Sequence, residues 1–233
     1  MYVFFLRKKR LLAVSAGIVS LLLVFYLVRM YLPADVPTIN PIYIGNTQER
    51  AVALMINVDW GEDVLPQMIS LFREKKIKTT FFITGKFAKK YPALITNIAA
   101  GGHEIGNHGY AHPHPDRISF EANKKDILDA EQVLLAIPVK MSKLFAPPYG
   151  ERAKHVLEAA DSLGYRTVMW TVDTVDWRDP APDTIQQKII TKADNGALVL
   201  MHPKDCTLQA LPSIIDTLQA NGYTFKTVSE IIQ

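Results

Sequence analysis

Short apolar runs rich in β-branched and aromatic residues alternate along this chain with segments of helical periodicity, and that alternation restricts the fold more than any other feature. The strand-like runs fall at Ala51–Ile56, Thr79–Thr84, Tyr165–Val172, Ala197–Met201 and Tyr223–Val228. Between them lie the helical patterns Val64–Lys75, Phe87–Ala100, Phe120–Ile137, Arg152–Leu163, Thr184–Lys192 and Leu208–Asn221. Glycine or asparagine closes several of these, as in Gly101-Gly102, Gly164 and Asn221-Gly222, which suits a helix end that needs a left-handed residue. Shorter strands are expected near Glu104-Ile105 and Leu144-Phe145. A helix between successive strands is the crossover that parallel neighbours require. About seven such units with short strands predict an α/β domain over 50–233, a distorted (β/α) barrel rather than an open sheet. In such a barrel, functional side chains follow the C-terminal ends of the strands.

The N-terminus is of another kind. Arg7-Lys8-Lys9-Arg10 precedes the run Leu11–Val28, which is apolar around its whole circumference. Its length approaches the roughly 20 residues that cross a bilayer as a helix, whereas a cleaved secretory segment is usually about 7 to 15 residues with a small-residue cleavage site. Residues 1–32 are therefore expected to be a cytoplasmic basic stub and an uncleaved transmembrane signal anchor. The basic cluster would stay in the cytoplasm and the rest would lie outside, giving a single-pass cell-membrane protein. Residues 33–49, with Pro33, Pro37 and Pro41, read as an extended linker.

The formal charge of +3 is a product of that stub. Residues 1–32 hold five of the 26 basic residues and no acids, so the remainder has 21 basic against 23 acidic residues. No nucleic-acid partner is expected from that balance. With Cys206 the sole cysteine, no intrachain disulfide framework exists, and the exported domain must stand on its core.

Five segments carry residue types suited to chemistry, each just past an expected strand. "NVDWG" (Asn57–Gly61) delivers a carboxylate, Asp59. "NHGYAH" (Asn107–His112) holds His108 and His112 four apart, so on a helical turn both imidazoles would project to one side as good zinc ligands. The bland alternative is a polar loop beside His114. "FAPPYG" (Phe145–Gly150) stiffens the backbone before Tyr149, either as a simple turn or to aim a backbone N–H. "DTVDW" (Asp173–Trp177) and "LMHP" (Leu200–Pro203) follow, and a lone histidine such as His202 is more often structural than catalytic.

In this order and spacing, the five segments resemble the motifs of the NodB-type polysaccharide deacetylases, carbohydrate esterase family 4. "KTTFFITGKFAKKYP" and "GGHEIGNHGYAH" match in place as well. The resemblance covers residues 50 to 231, and the "WG" of the first motif resembles the sporulation-associated Gram-positive branch. It implies a distorted barrel that binds a divalent metal, most simply Zn²⁺, and removes N-acetyl groups from an aminosugar polymer such as peptidoglycan or chitin. By the same resemblance His108 and His112 would bind the metal, and Tyr149 would offer its N–H to the oxyanion. His202 would be the general acid, tuned by Asp173, with Trp177 lining the acyl pocket and Pro148 also binding substrate.

Two positions depart from the family pattern. Its first motif has adjacent acids, a base and then a metal ligand, where this chain has Asn57-Val58-Asp59-Trp60. Aligning on the strand puts Asn57 at the base position and leaves Asp59 as the metal ligand. Aligning on the glycine makes Asp59 the base and puts Trp60, which cannot ligate, at the metal position. Ala146 stands where the third motif has an arginine that pairs with the base. A carboxylate needs that arginine and an amide does not, so the strand alignment accounts for both departures. A weakly active membrane-anchored N-deacetylase is the expectation, and a non-catalytic module binding glycan or a partner is the rival.

Overall fold

The structure is a computed structural model, and it describes residues 20, 21, 23, 24 and 39–233. The first four are helical and exposed. The expected anchor Leu11–Val28 otherwise lies outside the described residues, among which no helix is long and apolar enough to cross a membrane. Residues 39–233 form one compact unit.

The unit is a curled parallel sheet wrapped in helices. Its elements in chain order are β1 (Ala51–Val58), α1 (Leu65–Glu74), β2 (Thr80–Ile83), α2 (Gly85–Lys90), α3 (Pro92–Ala100), β3 (Glu104–Asn107), α4 (Phe120–Ala136) and β4 (Leu144–Phe145). They continue through α5 (Lys154–Ser162), β5 (Arg166–Thr167), β6 (Val172–Asp173), α6 (Pro182–Lys192), β7 (Ala197–Met201), α7 (Asp205–Ala220), β8 (Thr224–Phe225) and α8 (Val228–Ile231). The strand order is β5-β4-β3-β2-β1-β7-β6, all parallel, with β8 paired to the start of β1.

β1 is the central staff, buried along its whole length. Alternation divides it cleanly. Ala51, Ala53 and Met55 face an inner cluster with Phe82, Leu144, Ala146 and Leu198, plugged by Val228 and Ile231 of α8. Val52, Leu54, Ile56 and Val58 face the outer layer, packed against Leu65, Met68 and Phe72 of α1 and Leu211 and Ile215 of α7. Burying each such large side chain contributes roughly 1.5–3 kcal/mol.

The expected run Tyr165–Val172 is two strands, β5 and β6, at opposite edges of the curled sheet. Val168 N–H donates to Phe145 C=O at 2.8 Å, whereas Thr171 N–H donates to Leu198 C=O at 3.0 Å, so the chain crosses from one edge of the sheet to the other. Residues 39–49, expected as linker, span that gap. Ile42 N–H donates to Thr167 C=O at 2.9 Å, Met169 N–H to Ile42 C=O at 2.7 Å and Gly45 N–H to Gly196 C=O at 2.8 Å. The expected helix Phe87–Ala100 is also two pieces. Tyr91 leaves helical geometry (φ −129°, ψ 55°) and Pro92 opens α3, where its missing N–H costs nothing. Likewise β8 is short because Thr227 and Glu230 cap α8 reciprocally.

Candidate functional site

The inner row of β1 determines what enters the cleft. Asn57 continues the positions 51, 53 and 55, so it emerges inside the barrel at the C-terminal end of the strand and lines the cleft. Its side chain is buried, and among the described residues Oδ1 has no hydrogen-bond partner. Asp59 sits one step past the strand, half-buried, where Oδ1 accepts from the Thr84 hydroxyl at 2.9 Å. Gly61, at φ 97°, turns the chain back against Pro203, so the first and last motifs pack together.

The histidine turn is irregular rather than helical. Gly109 (φ 75°) and His112 (φ 54°) are both left-handed. The two imidazoles nevertheless meet, with ring centroids 5.0 Å apart. Asp126 of α4 fixes the turn by accepting from Tyr110 N–H at 2.9 Å and Ala111 N–H at 3.0 Å. Burial raises the Asp126 carboxyl above its ordinary value, against those two hydrogen bonds. His108 is buried and its Nδ1 lies 2.6 Å from Ala146 C=O. A carbonyl can only accept, so the proton is on Nδ1 and the lone pair is on Nε2. Burial, with the charge of His112 adding to it, holds the His108 pKa down to about 3, so the ring is neutral at physiological pH. Burial lowers His112 too, and the Asp59 carboxylate opposes that shift.

In the third motif Pro147 and Pro148 force a tight turn in which Tyr149 is left-handed (φ 58°, ψ 4°). Its N–H has no hydrogen-bond partner among the described residues. A non-glycine residue held there stores strain, which is common at ligand sites. The Tyr149 ring is exposed and stacks on His114 (4.0 Å, 11°), whose Nδ1 is 2.7 Å from Glu151. Pro148 is buried beneath this turn, and Tyr149 and Gly150 form the cleft wall.

His202 directly follows β7 and is gripped by Asp176, three residues beyond the expected Asp173. Its N–H donates to Asp176 Oδ2 at 2.6 Å, and its Nδ1 lies 2.8 Å from Oδ1. Thr207 donates to the same carboxylate at 2.6 Å. Burial would raise the Asp176 carboxyl, but the hydrogen bond and charge of His202, with the other donors, hold it below its ordinary value. Nδ1 is thereby committed, leaving Nε2 for a ligand. Asp173 lines the cleft instead, with Oδ1 accepting from Val175 N–H at 2.8 Å.

Asn57, His108, His112, Tyr149, Asp173, Trp177 and His202 thus converge on one cavity of about 380 Å³. Trp60, Trp170 and Leu200 complete it, and the sequence motifs had not assigned them a role. Trp60 stacks on His202 at 5.9 Å and 15°. Asp176 was overlooked because "DTVDW" offers two carboxylates, and only the fold shows which is buried against His202.

The residues present match a bound metal only in part. His108 and His112 offer neutral imidazoles, as zinc requires. Asp59 engages Thr84 through Oδ1, and its carboxylate also acts on His112. Among the described residues no group of three His, Cys, Asp or Glu is spaced to hold an ion.

A curled parallel α/β barrel with histidines, a tyrosine turn and aromatic walls at its C-terminal rim is of the class that carries a ligand cleft at its strand ends. The polysaccharide deacetylase family matches residues 44–168, and the chain belongs to that family. It is 41% identical over 198 residues to YlxY of Bacillus subtilis, covering 83% of this chain and 60% of that protein's length. A peptidoglycan-N-acetylglucosamine deacetylase of Bacillus cereus is 35% identical over 191 residues, covering 79% of this chain and 89% of the enzyme. Among solved structures, the wild-type Bacillus anthracis protein BA3943, described as a CE4 family pseudoenzyme, superposes with a TM-score of 0.81 at 34% identity. That match covers 84% of this chain and 70% of the other. A mutant of BA3943 described as having restored enzymatic activity matches with the same TM-score at 32% identity.

Proposed function

We propose that this chain binds N-acetylated aminosugar polymers of the peptidoglycan type in the histidine-lined cleft, with acetamide hydrolysis suppressed at the proton-accepting position. The observation that carries this reading is Asn57, an amide where the strand delivers its side chain beside His108 and His112. An amide cannot take a proton from water at neutral pH. Ala146 is apolar and fully buried in the inner cluster, so no cation is held there for a carboxylate to pair with. The likeness to a family pseudoenzyme supports the same reading.

The hold of Asp176 on His202 supports a second reading, a slow deacetylase. His202, oriented by Asp176, could donate from Nε2 to a departing amine, and the free Tyr149 N–H could receive an oxyanion. A divalent ion, with Zn²⁺ the expected one, would take two of its ligands from His108 and His112. Trp177 and Tyr149, both exposed at the rim, offer apolar faces to sugar rings. We further propose that Leu11–Val28 anchors the chain in the cell membrane with the barrel outside, which protease added to intact protoplasts would test by digesting the barrel.

The experiment for the cleft measures binding of N-acetylglucosamine oligomers to the full chain by calorimetry, alongside acetate release and metal content. Saturable binding with negligible acetate release supports the binding reading. Brisk release by the unaltered chain overturns it in favour of the enzyme, and no binding to any N-acetylated oligomer or peptidoglycan strand overturns both.

A further inference from the structure

We propose that a basic groove beside the cleft is a second subsite, which takes carboxylates carried on the glycan chain. The proposal rests on the reading of the cleft as a glycan site and names the kind of glycan: one bearing anionic arms, such as the peptide stems of peptidoglycan, rather than a neutral chitin-like polymer.

The groove has a volume of about 500 Å³ and lies between the loop after β6 and one face of α6. Arg178, Lys188 and Lys192 line it with the hydroxyl-bearing Thr184, and none of its lining residues is Asp or Glu. That sign is local, since residues 39–233 hold 21 Lys and Arg against 22 Asp and Glu. Lys188 and Lys192 stand four apart on the helix, so their ammonium groups project to the same side. Neither makes an ion pair with a described residue, whereas Lys204 is held by Asp179 at 2.6 Å.

One loop forms a wall of both cavities. Asp173 and Trp177 face the cleft, while Thr174, Val175 and Arg178 face the groove. The Arg178 guanidinium lies over the Trp177 ring at 4.6 Å, so a sugar stacked on the free part of that indole would have a cation at its margin. The loop is well fixed. Val175, a β-branched residue, is held left-handed at φ 58°, its N–H is tied to Asp173, and Asp176 beneath it is locked to His202 and Thr207. A glycan whose acetamide enters the cleft would pass over Trp177, and an arm leaving it on that side would meet three cations.

Exposed charge pairs are individually weak and are screened by salt, so the subsite should add roughly three- to tenfold in affinity, not the bulk of binding. The test compares three ligands on the full chain by calorimetry at low and moderate salt: a neutral N-acetylglucosamine oligomer, soluble peptidoglycan strands with free carboxylates, and the same strands with carboxylates amidated. The expected result is tighter binding of the native strands than of the amidated ones, fading as salt rises. Lys188→Gln combined with Lys192→Gln should abolish that advantage while leaving the neutral oligomer unchanged, and Lys188→Glu with Lys192→Glu should reverse it. Equal affinity for native and amidated strands, or an advantage that survives the paired substitution, overturns the groove while the cleft reading stands on the neutral oligomer. Loss of binding to all three ligands overturns the cleft reading as well.

Discussion

Asp176 holds His202 at two points, the main-chain N–H at 2.6 Å and Nδ1 at 2.8 Å. The double grip fixes both where the imidazole sits and which nitrogen is free, and Thr207 completes it from α7. Asp176→Asn would leave donors facing an amide that cannot accept from all of them. The expected cost is roughly 1.5–3 kcal/mol of stability at neutral pH, read from urea unfolding. Because the Asp176 carboxyl is held below its ordinary value, its contribution is complete above the unfolded value of about 3.9 and is lost as pH falls through the folded value. The acid limb of the stability profile below about pH 4 should therefore shrink in the variant.

How much of this was legible in the sequence depends on the range of each interaction. β1 and the short strands at Glu104 and Leu144 were readable, because burial on both faces and β-branching are local signals. The grouping of His108, His112, Tyr149, Trp177 and His202 was readable from motif order, since strand ends of a parallel barrel converge. The choice between Asp173 and Asp176 was not, because it depends on Thr207 and His202 arriving from a later unit. Nor was the role of Ile42 and Gly45, whose partners Thr167, Met169 and Gly196 are more than a hundred residues away in the chain. Proline and low charge mark that segment as extended, but do not say what it lies against.

The N-terminal strap should be open to test at Gly196. This residue has φ 79°, and a Cβ there would lie 2.5 Å from the carbonyl oxygen of Gly45. Gly222 has nearly the same φ, 82°, with nothing within 4 Å of its Cβ position. Gly222→Ala should cost only the left-handed strain, about 1–2 kcal/mol. Gly196→Ala should cost about 1–3 kcal/mol more, as strap and barrel are pushed apart. Equal losses in thermal unfolding would show that the strap adds nothing to stability.

His103 should make the barrel acid-sensitive. It is buried, with its ring between Phe72 and Phe81 and its Nδ1 3.2 Å from Thr79 N. Nε2 has no partner. Burial, aided by the charges of Arg73 and Lys78, lowers its pKa to about 4. The unfolded chain, at about 6.5, thus binds the proton first. Stability is complete above about pH 6.5 and falls as pH drops toward 4, by at most roughly 3 kcal/mol. His103→Gln, which keeps an acceptor for Thr79 N–H, should flatten that part of the profile measured by urea midpoints. An unchanged slope between pH 6.5 and 4.5 would assign the acid sensitivity to other groups.

If acetamide hydrolysis is suppressed as proposed, it should return only when two positions change together. Asn57→Asp alone would place a carboxylate in a buried site with no cation near it, which raises its pKa and weakens it as a base. Ala146→Arg alone would put a charge into a fully buried position packed against Met55, Phe82 and Leu144, beside the carbonyl that orients His108. An unpaired charge there costs several kcal/mol, so that variant should be the least stable of the set. With both changes the charges neutralise each other, and a positioned base contributes about 10² to 10⁴-fold. Acetate release from an N-acetylglucosamine oligomer should rise by up to that factor in the double variant and far less in either single one. Folding and metal content must be measured for all four proteins, because metal loading could limit the rate independently. A double variant that folds, loads metal and stays as slow as the parent would show that proton removal is not what restrains turnover. Brisk release by the parent that Asp59→Asn abolishes with metal retained would instead make Asp59 the base.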